Sequence, residues 1–254
     1  MNDRSALVAS LSETRMSGNP PRTDAAAPKD LDEALRLQLD VLEALLASGE
    51  ELAGWKVGLT SERVRERLGR EERPFGYLLA SGVHKSGERV ALEAISPAAG
   101  VEPELCFEMG ATLPAADVTP EQARDAVARV SAGMEINAFR SDGSSFESLV
   151  ADDLAQWGIV VGSGGPITAD FSSGAVDAVM TCDGREEASA RGAEVIDDHF
   201  VSLAILANTL GRFGRRLEAG QRVITGSFSA HKVKRPGHWH ARFSGVGEVE
   251  IHFG

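Results

Sequence analysis

Apolar residues recur at helical spacing through the first part of the chain. Residues 31–46 are predicted to form an amphipathic helix, because four leucines follow one another at intervals of three or four: Leu35, Leu39, Leu42 and Leu46. A shorter helix is predicted over residues 4–16. Residues 18–28 contain three prolines and no periodicity, and are expected to connect the two helices.

The pattern then changes towards strands. An apolar strand is predicted over Trp55–Leu59, followed by a helix that Ser61 caps and Gly69 ends. Short β-like segments with Gly and Pro punctuation begin near residue 89. The predicted strands are Arg89–Leu92, Glu104–Met109, Met134–Phe139, Ile159–Gly162, Ala175–Cys182, Arg222–Ser227, Trp239–Phe243 and Gly247–Phe253.

Two further helices interrupt these strands. Thr119 and Gln122 form a capping box around Pro120, and an apolar face marks a helix over residues 198–213. Many short strands with occasional helices favour an α+β fold built on a distorted β-barrel or paired sheets. We expect an N-terminal helical region over residues 1–88 and a β core over residues 89–254.

Composition excludes several classes of protein. The 254 residues carry a net charge of −12, which argues against a nucleic-acid groove. No apolar run is long enough to span a membrane, and the N-terminus lacks an apolar signal core. Cys106 and Cys182 lie far apart, so a disulfide framework is not expected. A cytoplasmic location is the simplest expectation.

Three glutamates carry the clearest chemical signal. Glu102 and Glu104 share one face of a strand because side chains i and i+2 point the same way, and Glu135 lies in a second apolar segment. Three converging carboxylates repel one another unless a cation neutralises them, and an all-oxygen ligand set suits Mg²⁺ or Mn²⁺. A solvated strand face is the alternative, because acidic residues are frequent in this chain.

Other candidates are open to two interpretations each. Lys56, inside an apolar strand, could have a lowered pKa and shuttle protons, or could extend to solvent. His238 and His240 share a strand face and could bind zinc with help from His231 or His252, although surface histidines are the simpler interpretation. We expect residues 162–165, a glycine-rich run, to form a strand-ending turn, and the basic cluster over residues 231–235 to be an exposed loop that could attract an acidic substrate.

Several segments together resemble the 2-keto-4-pentenoate hydratase / 4-oxalocrotonate decarboxylase family of the fumarylacetoacetate hydrolase superfamily. The matching segments run through the chain in order: Gly54–Ser61, Pro74–Leu78 (a loop), Glu102–Phe107, Glu135–Arg140, Gly226–Phe228 and Ala241–Gly247. The resemblance implies a fumarylacetoacetate-hydrolase-like mixed β-barrel or β-sandwich core with flanking helices, and a homo-oligomer.

The resemblance also implies roles for individual residues. Glu102, Glu104 and Glu135 would bind the metal, and Lys56 would transfer protons. The substrate would be a small 2-oxo or 2-hydroxydienoic acid beside four residues: Leu79, Arg140, Ser227 and Phe228. Two segments depart from the family pattern, namely 79–81, which lacks acidic residues, and 152–157, where Asp153 and Leu154 replace an Asn and a small residue.

Three functions follow as hypotheses. The first is a lyase that hydrates a 2-hydroxy-2,4-dienoate, with decarboxylation of a 4-oxalocrotonate-type acid as its near alternative. The second is hydrolysis of a carbon–carbon bond in an acylpyruvate, which requires a His–Glu pair to activate water. His84 lies in the N-terminal half, and no such pair is evident near it in the sequence. The third is a non-catalytic partner subunit that kept the fold.

Overall fold

The computed structural model describes residues 3–17, 27–95, 98–140 and 145–254. Its α-helices are α1 Asp3–Ser17, α2 Leu31–Ala47, α3 Glu62–Leu68, α4 Pro120–Asp125, α5 Phe146–Ala151, α6 Gly192–Val195 and α7 His199–Arg212. Its strands are β1 Leu52–Val57, β2 Phe75–Leu79, β3 Val83–Lys85, β4 Arg89–Val90, β5 Ala99–Met109, β6 Val127–Ala138, β7 Gln156–Pro166, β8 Asp177–Cys182, β9 Arg185–Arg191, β10 Arg222–Ser227, β11 His231–Lys232, β12 Gly237–Phe243 and β13 Gly247–Phe253.

The strands form two sheets. The larger has the order β2-β1-β10-β5-β6-β7-β3, with β11 paired to β5 beside β10, and the smaller has the order β4-β13-β12-β8-β9. Antiparallel pairing dominates, but β1 runs parallel to β10 and β3 parallel to β7. Helices and mixed sheets together confirm the predicted α+β class. The larger sheet takes strands from both sides of residue 88, and the proposed boundary there stays a prediction.

The two faces of the larger sheet bury different residues. Side chains such as Trp55, Tyr77 and Phe107 enter an extensive apolar core, where α2 packs and where Gln38 Nε2 donates to the carbonyl oxygens of Phe75 and Val150. The opposite face carries a small apolar cluster of four residues: Leu78, Cys106, Ile159 and Ile224. This small cluster lies on the same face of the larger sheet as the polar residues described below.

Most predicted elements are present with modest changes of length. The helices around residues 4–16, 31–46 and 198–213 are confirmed, as are the capping box at Thr119 and the C-terminal stop of α3 at Gly69. The strand predicted to reach Leu59 ends at Val57, because Leu59 adopts a left-handed conformation with φ of 53°. The connection over residues 18–28 falls mostly outside the described residues.

Four expectations were wrong. Ser61 precedes α3 but its side chain makes no capping hydrogen bond; Asp197 Oδ1 accepts from the Glu62 N–H instead. The loop expected over residues 74–78 is largely strand β2, which is buried along its whole length. The basic cluster begins as strand β11 rather than a loop, paired with β5.

The fourth wrong expectation concerns the glycine run. Residues 162–165 continue β7 and do not form a turn. A Cβ at Gly162 would lie 2.2 Å from the Glu248 carbonyl oxygen, and one at Gly164 would lie 2.3 Å from the Val130 carbonyl oxygen. Gly162 thus permits the close approach of β7 to β13, where the two sheets meet, and Gly164 permits that of β7 to its neighbour β6; glycine inside a strand often marks such an approach.

In the described ranges, no helix is long and apolar enough to cross a membrane.

Candidate active site

Strand register brings the three glutamates together. Glu102 on β5 lies directly opposite Glu135 on β6, and Glu104 lies two residues further along β5 on the same face. Oxygen atoms of the three carboxylates lie within 4.8 Å of one another. Glu104 and Glu135 are buried and Glu102 is partly buried. The predicted convergence of the three side chains is therefore present in the structure.

Burial makes this cluster electrostatically costly. Desolvation, reinforced by the neighbouring Glu135 carboxylate, raises the pKa of Glu102 to about 7. Desolvation and the other two carboxylates raise the pKa of Glu104 well above its usual range. Glu102 Oε1 accepts from Asn137 Nδ2 at 3.0 Å, and the nearby Ser227 hydroxyl, which donates to the Ser229 carbonyl oxygen, also lowers the pKa of Glu102. Glu104 Oε2 is buried and has no hydrogen-bond partner in the part of the chain that the structure describes.

Lys56 supplies the positive charge beside the carboxylates. Its Nζ donates to Glu135 Oε1, and both side chains are almost fully buried. Burial alone would lower the pKa of Lys56, but the bound Glu135 and the nearby Glu102 and Glu104 more than offset it and raise the pKa. The neutral amine considered from the sequence is therefore not the form that this arrangement favours.

The donor set fits a hard divalent cation. If all three carboxylates ionise, the Lys56 ammonium leaves two negative charges unbalanced, and Glu104 Oε2 has no partner among the described residues. Two oxygens bound to the same ion are separated by at most about 4–5 Å, twice a metal–oxygen bond of about 2.0–2.6 Å. The spacing of the three carboxylates meets that limit. The residues present could hold Mg²⁺, Mn²⁺ or Ca²⁺ with open positions left for a ligand.

A strained turn forms the wall behind Lys56. Asp153, Leu154 and Ala155 all have positive φ, at 56°, 51° and 59°. Such a run is unfavourable for residues other than glycine, by roughly 1–2 kcal/mol each. It places the Leu154 carbonyl oxygen 3.2 Å from Lys56 Nζ and Asp153 Oδ1 2.8 Å from the Tyr77 N–H. The turn thereby gives Lys56 Nζ a second acceptor besides Glu135.

Two glycines make room for this arrangement. Gly76 on β2 lies opposite Lys56, and a Cβ there would come within 2.8 Å of both Lys56 Cγ and Asp153 Oδ1. Gly226, with φ of 94°, lies where the β10–β5 register shifts between Ile224 and Ser227. Such bulges redirect side chains next to active sites, and this one brings Ser227 opposite Glu104.

The structure separates the four residues predicted to line the substrate. Ser227 lies beside the carboxylates, where its hydroxyl contacts Glu102. Leu79 enters the large apolar core, whereas its neighbour Leu78 enters the small cluster under the carboxylates. Phe228 is buried against His199 and Phe243. Thus Leu79 and Phe228 belong to the main core.

The Arg140 guanidinium already binds groups of the protein. Its Nε lies 3.2 Å from Asp152 Oδ1, and its two terminal nitrogens donate to the carbonyl oxygens of Asp152 and Gln156. The side chain is buried. The resemblance implied that Arg140 lines the substrate; the structure shows it paired with the neighbouring Asp152.

Segment 79–81, which departs from the family pattern, also turns away from the carboxylates. The Ala80 N–H donates to the Glu51 carbonyl oxygen, and Ser81 Oγ donates to Glu50 Oε2. The segment that lacks acidic residues therefore contacts the connection between α2 and β1.

Sequence reasoning missed two polar residues of the site. Asn137 lies two residues after Glu135 on the same strand face, so the rule that linked Glu102 to Glu104 could have found it. Asp153 is 1% exposed, and desolvation raises its pKa to about 7. Nothing local in the sequence indicates that a left-handed turn would place it beside Tyr77.

His84 does pair with a glutamate, although no such pair was predicted near it from the sequence. His84 Nδ1 lies 3.1 Å from Glu88 Oε2, and the imidazole stacks on Trp157. Val83, not His84, packs against the small cluster under the carboxylates, so His84 points to the other face of β3. The pair is not part of the carboxylate site.

Curated relatives match most of the chain. A 2-hydroxyhexa-2,4-dienoate hydratase from Comamonas testosteroni is 30% identical over 82% of this chain and 80% of its own length. A 4-oxalocrotonate decarboxylase from Pseudomonas sp is 28% identical over 92% of this chain and 91% of its own. No model in a scan of protein families matches the chain.

Solved structures show the same fold. The 4-oxalocrotonate decarboxylase from Pseudomonas putida G7, complexed with magnesium and adipate, superposes with a TM-score of 0.89 at 21% identity, covering 99% of this chain and 97% of that one. A fumarylacetoacetate hydrolase from Exiguobacterium antarcticum gives a TM-score of 0.60 at 16% identity, covering 80% and 75%. The fold is thus fumarylacetoacetate-hydrolase-like, as the resemblance implied.

Fold and relatives together define an enzyme of the hydro-lyase or carboxy-lyase kind. The chain belongs to the 2-keto-4-pentenoate hydratase / 4-oxalocrotonate decarboxylase family.

Proposed function

We propose that this chain is a metal-dependent hydratase that adds water to a 2-hydroxy-2,4-dienoate and gives a 4-hydroxy-2-oxo acid. The observation that carries the proposal is the convergence of three buried carboxylates on a position next to the Lys56 ammonium. The hydratase relative supports the substrate class. The divalent ion is proposed to be Mg²⁺ or Mn²⁺, because oxygen donors alone surround the position.

Glu102, Glu104 and Glu135 would hold the divalent ion, which would supply Lewis-acid stabilisation of negative charge on the C2 oxygen of the substrate. Lys56 has a different task. Its raised pKa keeps it as an ammonium, so it can donate a proton and be reprotonated. The Leu154 carbonyl oxygen and Glu135 hold Nζ in place from two sides.

Two proton movements are needed in the hydratase reaction. The C2 hydroxyl of the dienol loses a proton while C5 gains one, which gives a 2-oxo-3-enoate; water then adds as OH to C4 and H to C3. Lys56 is the proposed proton donor and acceptor in the first step. Ser227, which contacts Glu102, and Asn137 orient that carboxylate and are proposed as positioning residues.

A decarboxylase is the second candidate, because a relative and a solved structure of similar fold carry that name. The Arg140 guanidinium favours the hydratase over it. A dicarboxylate such as 4-oxalocrotonate benefits from a cation at its distal end, and Arg140 is committed to Asp152 and two carbonyl oxygens. We therefore propose a higher kcat/KM for monocarboxylate dienols than for dicarboxylate ones.

The deciding experiment follows both substrates with the purified chain. Loss of dienol absorbance from 2-hydroxypenta-2,4-dienoate is measured after chelation and again after addition of Mg²⁺, and CO₂ release from 4-oxalocrotonate is measured in parallel. Mg²⁺-dependent loss of dienol without CO₂ release supports the hydratase. A higher kcat/KM with CO₂ release identifies the decarboxylase, and turnover of neither substrate favours the non-catalytic partner.

A homo-oligomer is also proposed, on family resemblance alone. Light scattering at micromolar concentration tests it, since a monomer has a mass of 26.9 kDa.

A further inference from the structure

A second cluster of metal-binding residues lies on the smaller sheet. Strands β12 and β13 alternate strictly: Trp239, Ala241, Val249 and Ile251 enter the core, and the intervening residues form a polar strip on the outer face. The strip contains three histidines, two glutamates and one arginine: His238, His240, Arg242, Glu248, Glu250 and His252.

Cross-strand register gathers three of these residues at the end of the hairpin far from its turn. His238 lies directly opposite His252, and their rings stack with centroids 4.3 Å apart and planes 12° apart. Glu250 Oε2 lies 2.9 Å from His238 Nε2. Ligand atoms of all three side chains lie within 4.8 Å of one another.

The backbone around this cluster is well anchored. The Glu250 N–H donates to Ser86 Oγ, and the Glu250 carbonyl oxygen accepts from the Gly87 N–H. The residues that bracket the cluster in sequence, Trp239 and Ile251, are core residues. The three side chains are only partly buried, so an ion from solvent can reach them.

The ligand chemistry differs from that of the carboxylate site. Two imidazoles and one carboxylate form a set that binds Zn²⁺ and leaves a fourth position for water. Three carboxylates favour a hard ion such as Mg²⁺. We propose that His238, Glu250 and His252 bind one Zn²⁺ ion, which links β12 to β13 at the open end of the hairpin.

His240 provides a matched control within the same strip. It lies on the same face of β12, two residues from His238, and its Nε2 is 3.3 Å from Glu248 Oε2. It is not a member of the cluster. Its replacement removes an imidazole from the strip and leaves the proposed ligands intact.

The test is calorimetric titration of the full chain with zinc sulfate, in excess Mg²⁺ so that the carboxylate site does not compete for zinc. We expect one zinc ion per chain. Loss of an outer partner of a zinc ligand already costs about 10–100-fold in affinity, so His252→Ala and His238→Ala should each weaken zinc binding by at least about tenfold. His240→Ala should retain the affinity of the wild-type protein.

Circular dichroism of each variant shows that the fold is retained, and the visible absorption of bound Co²⁺ gives a second measurement. That absorption should disappear in His252→Gln, a milder change than alanine, and persist in His240→Ala. The proposal is overturned if the wild-type chain binds no zinc in the presence of Mg²⁺. Equal affinity of wild-type and His252→Ala, or equal loss in His240→Ala, would overturn it as well.

Discussion

The carboxylate site on β5 and β6 and the polar strip on β12 and β13 are built by the same device. In each, residues directly opposite one another on paired antiparallel strands bring ligand groups close together. Burial separates them. Glu104 and Glu135 are buried inside the protein, so their charges must be balanced by Lys56 or by a cation. The polar strip is open to water, which solvates its charges. Strand register is enough to bring the ligand groups together in both clusters. Only in the buried carboxylate site does the charge of those groups need compensation from Lys56 or a cation.

The largest expected effects come from breaking the buried site at two different carboxylates. Glu135→Gln and Glu104→Gln each remove a proposed ligand, so each should lower kcat/KM by roughly a thousandfold. Their effects on metal-free stability should differ in sign. Glu135→Gln leaves the buried Lys56 without its partner and should lower the free energy of unfolding by about 3–5 kcal/mol.

Glu104→Gln should instead raise that free energy by about 1–3 kcal/mol, because it removes a buried acid whose ionised form is desolvated and repelled by Glu135 and Glu102. Urea denaturation of both variants in a chelating buffer measures the two values. Destabilisation of similar size in both variants would show that the carboxylates are not distinguished by the Lys56 ion pair.

Lys56→Ala should lower kcat by about 10²–10⁴ while metal affinity stays nearly unchanged, because Lys56 is proposed to move protons and not to bind the ion. Steady-state kinetics and Mn²⁺ titration measure the two quantities. Wild-type turnover in this variant would remove Lys56 from the mechanism.

Gly76→Ala probes how tightly Lys56 is held. The new methyl group would lie 2.8 Å from Lys56 Cγ and Asp153 Oδ1, so kcat should fall about tenfold and stability by about 1–3 kcal/mol through overpacking. Gly165→Ala is the control, because a Cβ at Gly165 meets nothing within 4 Å. Equal kinetics for the two variants would show that the close approach at Gly76 is not needed.

The last effect depends on pH, concerns stability and not turnover, and involves Asp153. Its pKa is raised from 3.8 to about 7 by desolvation. Because the folded state holds this proton more tightly than the unfolded state, Asp153 stabilises the fold fully below pH 4 and loses that contribution as the pH rises to about 7. Asp153→Asn removes this dependence and keeps an acceptor for the Tyr77 N–H.

Between pH 5 and pH 8, the wild-type chain should therefore lose about 2–3 kcal/mol relative to Asp153→Asn. Urea denaturation at both pH values gives this difference. A variant that loses stability in parallel with the wild-type chain would show that Asp153 is ionised throughout that range.

The sequence could predict features that are set within a single strand, but not contacts between strands that are far apart in the chain. Alternation within one strand was enough to group Glu102 with Glu104, and it would have found Asn137 beside Glu135. The Lys56–Glu135 contact joins strands that are far apart in the sequence, so the sequence did not predict it; only the family resemblance assigned both residues to one site. The glycine run in β7 was wrongly predicted to be a turn. Glycine is needed there because the backbones of β6 and β13 approach β7 closely, and that approach exists only in the folded chain.

The strand order has a consequence for how the active site is assembled. Residues 102–135, which carry the three carboxylates, form a local antiparallel pair, whereas β1 with Lys56 reaches that pair only through β10, near residue 224. All three carboxylates have been synthesised once β6 is complete, but β10 follows only after about ninety further residues. Because domains generally fold as units, Lys56 and the carboxylates come together only after that point. A truncated chain that ends before β10 therefore lacks the means to bring its lysine to the carboxylates, and chemistry is delayed until folding is nearly complete.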